Sequence, residues 1–183
     1  MILALDPGTA SLGWAIVAPR TGHVLELGVV ALKPDPDLAK STDRAARVHV
    51  QGVLYRELRR RHQITAIAAE AATFNPRRFT MAVGLCMSIG AHVGFAAAVG
   101  VALYELPPKL WQHAVLGRAP GDRSKVDYDE VERRLIEFIG RDGRVAEQLA
   151  ATPKGKRNHA RDAVGVGVFT ALRPEQATRI GAR

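Results

Sequence analysis

The head of the chain is a succession of short apolar runs broken by turn formers, and this constrains the fold more than any other feature. Residues 2–5, then roughly 12–18 and 23–32, read as three strands separated by "DPGTAS" and "PRTG". Strands joined so closely form an antiparallel meander. "KPDPDLAKSTD" then leads into a helix of about twenty residues from Asp43, whose basic last turn "RELRRRH" suits the negative end of the helix dipole. "ITAIAAE" reads as a buried strand that ends at Glu70.

Beyond "AATFNPRRF" the pattern continues with an uncharged helix, a strand at "VALYEL" and a short helix at "PPKLWQHAVLGR", where proline fits the first turn. "DRSKVDYDEVERRLIEFIG" places Val126, Val131, Leu135, Phe138 and Ile139 at helical spacing beneath a charged face. "NHARDAVGVGVFTALR" makes a last apolar helix, with Asp162 near its start. Strands mixed with helices imply an α/β fold. A chain of 183 residues, 47% of them hydrophobic, is sized for a single domain, 1–183.

Twenty-six Lys and Arg against eighteen Asp and Glu leave a net charge of +8, which points to a polyanionic partner such as nucleic acid. Cys86 is the only cysteine, which excludes an internal disulfide framework and a cysteine-based zinc site. A reducing cytoplasm, in a bacterial cell or a phage-infected host, is the expected setting. Asp6 interrupts the first apolar run too early for a secretion signal.

No Asp, Glu, Lys or Arg occurs from Thr80 to Tyr104, a length that meets the condition for a membrane span and includes the G-x-x-x-G pattern "GAHVG". Its many Gly and Ala residues, Ser88 and His92 weaken insertion, and its end reads as a separate strand. A small-residue helix packed in the core or against a partner subunit is expected, and no membrane.

Three carboxylates occupy comparable places: Asp6 ends the first strand, Glu70 ends the fourth, and Asp162 lies near the start of the last helix. Oxygen ligands gathered this way suit Mg²⁺ or Mn²⁺, and paired ions of this kind activate water and stabilise the leaving oxygen in phosphodiester cleavage. His159 precedes Asp162 by three residues and shares its helical face, so the pair can bind metal or position water. Alone, such a pair is more commonly a cap and an exposed histidine. It gains weight from the basic lead-in of Lys154, Lys156, Arg157 and Arg161, suited to phosphate contacts.

"TFNPRRF" sets Phe74 and Phe79 around Arg77 and Arg78. Aromatics that stack on or wedge between bases, interleaved with phosphate-binding arginines, suit a loop entering opened or branched DNA. The plainer alternative is a surface turn with two buried phenylalanines. The acids Asp122, Asp127, Asp129, Glu130 and Glu132 read as helix caps and surface ion pairs.

Taken in order, "LALDPGTASLGWAIV", the strand ending "AAE", "PKLWQHAVLGR" with "RSKVDYDEVERRL", and "HARDAVGVGV" resemble the RuvC family of Holliday-junction resolvases over nearly the whole chain. The resemblance implies an RNase H-like fold with a mixed five-stranded sheet, the antiparallel meander followed by parallel strands, flanked by helices. It also implies a homodimer that makes Mg²⁺-dependent symmetric nicks in four-way DNA junctions, with two ions per active site and no nucleotide cofactor. By position, Asp6, Glu70 and Asp162 correspond to catalytic metal-binding acids, and His159 to a place where members carry histidine or a carboxylate. Lys109 and either Arg123 or Lys125 correspond to basic residues near the scissile phosphate, and Phe74 to a junction-wedging aromatic.

Three further readings compete. "DPGTASLG" also resembles a phosphate-binding loop of the sugar kinase and actin type, although this chain lacks room for the two related domains that enclose such a nucleotide. A broader branched-DNA nuclease, or a non-catalytic basic DNA-binding protein, would use the same arginines, and the latter has no need of three acids.

Overall fold

The computed structural model describes residues 1–8, 10–72, 79–118, 125–139 and 143–180, with the backbone alone at 79–81. The meander expected from the first runs forms as β1 (Ile2–Asp6), β2 (Ser11–Val17) and β3 (Val24–Ala31). Helix α1 (Lys40–Arg61) then crosses to β4 (Ala66–Glu70), and α2 (Phe79–Val99) to β5 (Ala102–Leu106). Helices α3 (Pro108–Val115), α4 (Tyr128–Ile139), α5 (Gly143–Ala151) and α6 (Lys154–Leu172) follow, and β6 (Thr178–Ile180) comes after them.

The sheet runs β3-β2-β1-β4-β5-β6. β4 joins β1 in parallel and β5 joins β4 in parallel, while β6 closes the far edge antiparallel to β5. The sheet therefore has six strands, one more than expected, because Thr178–Ile180 finds hydrogen bonds on the open edge of β5. All three residues of β6 are exposed, so no apolar alternation marks it in the sequence. Two helix limits also differ from expectation. α1 begins at Lys40, which places Asp43 inside its first turn, and α6 begins at Lys154, directly after Pro153. Residues 143–151, to which the sequence pattern assigned no element, fold as α5, with Val145 and Leu149 buried one turn apart.

Strand alternation divides the core in two. Leu3, Leu5, Leu12, Trp14 and Ile16 face α1, packing with Tyr55 and Leu58. Ile2, Ala4, Ala15 and Val17 face the other way, into a cluster with Trp111 and the apolar side of α6. α6 comes close to the sheet because side chains are missing where it crosses. A Cβ on Gly167 would stand 2.6 Å from Val17 and 2.7 Å from Ala4, and one on Gly165 would stand 2.3 Å from the Trp111 ring. Ser88 and His92, the polar residues that argue against a membrane span, turn inward and are buried. The segment Ala82–Val99 is nevertheless long and apolar enough to cross a bilayer, and only 22% of it is buried within the chain.

Candidate active site

Register brings the first two acids together. β1 and β4 run parallel with Leu5 beside Ala69, so one step further sets Asp6 beside Glu70 at neighbouring strand ends. By the two-residue alternation both side chains share the face of Ala4 and Ala68, the face that α6 covers.

A bare position brings the third. Asp6 pairs across the sheet with Gly13 of β2. A Cβ on Gly13 would lie 2.0 Å from the His159 carbonyl oxygen, so only glycine lets α6 settle there. His159 then meets Asp6, with Nδ1 2.5 Å from Oδ2, and Asp162 follows one turn along the helix.

Each acid has a protein partner. Trp111, fully buried on α3, donates its indole N–H to Glu70 Oε1 at 3.1 Å. Arg161 donates through Nε to Asp162 Oδ1 at 2.8 Å, and its Nη2 lies 2.7 Å from the same oxygen in an ion pair. Behind the turn that follows Asp6, Gln51 of α1 donates to the Gly8 carbonyl at 2.9 Å, and Ser88 of α2 donates to Gln51 Oε1 at 2.8 Å.

The electrostatics follow from burial and crowding. Burial raises the Glu70 pKa to about 8, the charges of Asp6 and Asp162 push it the same way, and the Trp111 hydrogen bond opposes them. Burial likewise lifts Asp162 to about 6, with Arg161 opposing and Asp6 adding to the rise. The hydrogen bond to Asp6 raises the His159 pKa against the pull of burial. Carboxyl groups that hinder one another's ionisation in this way form an anionic pocket that a hard cation relieves.

The donor chemistry therefore fits Mg²⁺ or Mn²⁺. Among the described residues no three ligating side chains stand ready as an ion cage. The reason is visible in the partners: Asp6 Oδ2, Glu70 Oε1 and Asp162 Oδ1 are turned to His159, Trp111 and Arg161.

The basic positions lie on several elements. Lys109 is exposed on the first turn of α3, two residues before Trp111, and Lys125 is exposed ahead of α4. Lys154 and Lys156 lie on the first turn of α6. Arg157, next to them, donates to the Ala150 carbonyl at 3.0 Å at the end of α5 and lies 3.8 Å from Glu132. Phe74, Arg77, Arg78 and Arg123 lie outside the described residues. Sequence reasoning missed the roles of Trp111, Gln51 and Arg161. A buried indole needs a partner for its N–H, which is the one signal that pointed to Trp111. Arg161, read with the exposed basic lead-in, is instead buried.

No family model matches the chain. It is 26% identical over 183 residues to the crossover junction endodeoxyribonuclease RuvC of Chloroflexus aurantiacus, covering 98% of this chain and 97% of that protein. It is 29% identical to the RuvC of Myxococcus xanthus over 153 residues, 82% of this chain and 74% of that protein. In structure it is similar to Thermus thermophilus RuvC in complex with a Holliday junction substrate, with a TM-score of 0.69, 21% identity and 98% of both chains covered. The yeast mitochondrial Holliday junction resolvase Ydc2 matches with a TM-score of 0.66 at 11% identity, over 96% of this chain and 79% of that one.

The sheet order, with its antiparallel meander leading into parallel strands under α6, is that of an RNase H-like fold. Within that class, the sequence likeness, which runs along nearly the whole chain, is to RuvC crossover junction endodeoxyribonucleases.

Proposed function

We propose that the chain, one nuclease domain over residues 1–183, resolves four-way DNA junctions by metal-dependent symmetric nicking. The observation that carries this reading is the convergence of Asp6, Glu70 and Asp162 at the strand ends of an RNase H-like sheet, crowded enough for Asp6 and Asp162 to raise the Glu70 pKa. Its relatives are named as crossover junction endodeoxyribonucleases, and one similar structure holds a Holliday junction substrate. The net charge of +8 agrees with a DNA partner.

In this reading Asp6, Glu70, Asp162 and His159 would hold two Mg²⁺ or Mn²⁺ ions, which would supply activation of the attacking water and stabilisation of the leaving oxygen. His159, fixed through Nδ1 by Asp6, leaves Nε2 as the ring nitrogen available to an ion. Trp111 keeps Glu70 from rotating away. Lys109, Lys125, Lys154, Lys156 and Arg157, together with Phe74, Arg77, Arg78 and Arg123, contact the junction arms. The enzyme works in the cytoplasm of a bacterial cell or phage-infected host.

A two-fold dimer matches the two-fold symmetry of the junction and delivers paired cuts. Its proposed interface is the outer face of α1 and α2, where Val50, Val53 and Val93 are exposed and Gly90 and Gly94 leave open space. The deciding experiment incubates the protein and its Asp6→Asn variant with a labelled immobile four-way junction and a matched linear duplex, under Mg²⁺, Mn²⁺ or chelator. Paired, metal-dependent nicks confined to the junction and absent from the variant are expected. Equal cutting of both substrates would indicate a broader nuclease, and salt-sensitive binding without cleavage a DNA-binding protein.

A further inference from the structure

Arg161 is unusual for a basic residue in a basic protein. It is 6% exposed, it hydrogen-bonds through Nε and ion-pairs through Nη2 with a single oxygen of Asp162, and its guanidinium lies 4.9 Å from the centre of the Tyr128 ring on α4. Burying a guanidinium is costly unless an anion compensates it at close range, and here the compensating anion is one of the three site acids. The cation–π contact with Tyr128 helps hold the guanidinium in place. A guanidinium does not lose its proton in proteins, so this positive charge is permanent.

We propose that Arg161 is a built-in counter-ion of the acid cluster, which holds down the affinity of the DNA-free site for divalent cations. It acts through Asp162 as a positioning residue. It occupies Oδ1, so that an entering ion must share this carboxylate, and its charge repels a second cation at short range. The three acids then meet a fixed positive charge even before any ion arrives. This inference rests on the reading of Asp6, Glu70 and Asp162 as metal ligands.

The test is a calorimetric titration of the DNA-free protein with Mn²⁺. R161Q keeps an amide donor for Asp162 and removes the charge; R161K keeps the charge. R161Q is expected to bind Mn²⁺ about tenfold more tightly than wild type, and R161K within about threefold of it, as expected of a charge effect in a partly desolvated site. Circular dichroism checks folding, and if R161Q does not melt cooperatively, R161M, close in volume and uncharged, is expected to give the same tightening. Wild-type binding with the uncharged variants equal or weaker would overturn the counter-ion role while leaving the metal site standing. Absence of Mn²⁺ binding by every protein would overturn the metal reading itself, and the counter-ion with it.

Discussion

Gln51 is fully buried and donates from Nε2 to the Gly8 carbonyl at 2.9 Å, tying α1 to the turn that follows Asp6. Ser88 completes the tie from α2, donating to the Oε1 of the same amide. Gln51→Leu fills similar space but strips Gly8 and Ser88 of their partner. Leaving such groups buried without a partner costs about 1–3 kcal/mol, so a lower midpoint in urea at unchanged slope is expected. Because Gly8 is two residues from Asp6, cleavage should fall further than junction affinity. Equal losses in both would show that the tie stabilises the fold without positioning the site.

Trp111 offers a separate control on Glu70. Its indole hydrogen bond lowers a pKa that burial and the neighbouring acids have raised to about 8. Trp111→Phe keeps a ring in the pocket and removes the donor. The loss of one ordinary hydrogen bond, about 1 kcal/mol, corresponds to about 0.7 pH. The rising limb of the cleavage rate against pH should therefore move to higher pH by roughly that amount. A drop in rate with the limb unmoved would mean that Trp111 only packs.

The same acids set the pH dependence of stability without metal. Glu70 sits at about 8 and Asp162 at about 6 in the folded chain, both above their ordinary carboxylate range, and His159 is raised by Asp6. Between about pH 4.5 and 8 the folded state thus keeps protons that the unfolded chain has released, so stability falls as pH rises through that window. His159 adds to the fall, since its stabilisation is present below its unfolded pKa and lost above its folded one. In chelator the loss should be on the order of 2–4 kcal/mol across the window. Glu70→Gln should flatten the slope, and Mn²⁺ should restore stability at pH 8. A melting temperature constant from pH 5 to 8 would contradict the crowding.

What was legible in the sequence depended on periodicity. Asp6 and Glu70 each end an apolar run of strand length, so their places on β1 and β4 follow from local pattern alone. Asp162 was expected near the start of the last helix and lies in the middle of it. The polar run from Lys154 carries no apolar period, and only Pro153 marks the true start of α6. α5 hid behind Gly143 and a length of nine residues. The partners Trp111, Arg161 and Gln51 were beyond reach for a different reason. Each contact but one joins elements distant in the chain, and the exception, Arg161 with Asp162, depends on burial that the basic surroundings disguise.

The uncharged helix α2 provides the test of assembly. Cys86, Gly90, Val93, Gly94 and Ala97 recur at helical spacing on its exposed side, and a Cβ built at Gly90 or Gly94 meets nothing within 4 Å. Gly90→Leu therefore fits the isolated chain without a clash, so any effect on mass reports on a second copy. The small residues allow close approach of a partner helix, and a leucine there holds the two backbones apart. Light scattering should give a dimer for wild type and a shift toward monomer for Gly90→Leu, with melting of the variant broadened at low protein concentration. Resolution should suffer more than single-strand nicking, because paired cuts need both active sites on one junction. A dimer of unchanged mass in Gly90→Leu would move the interface off this face, and a monomeric wild type would remove the symmetric-cut design.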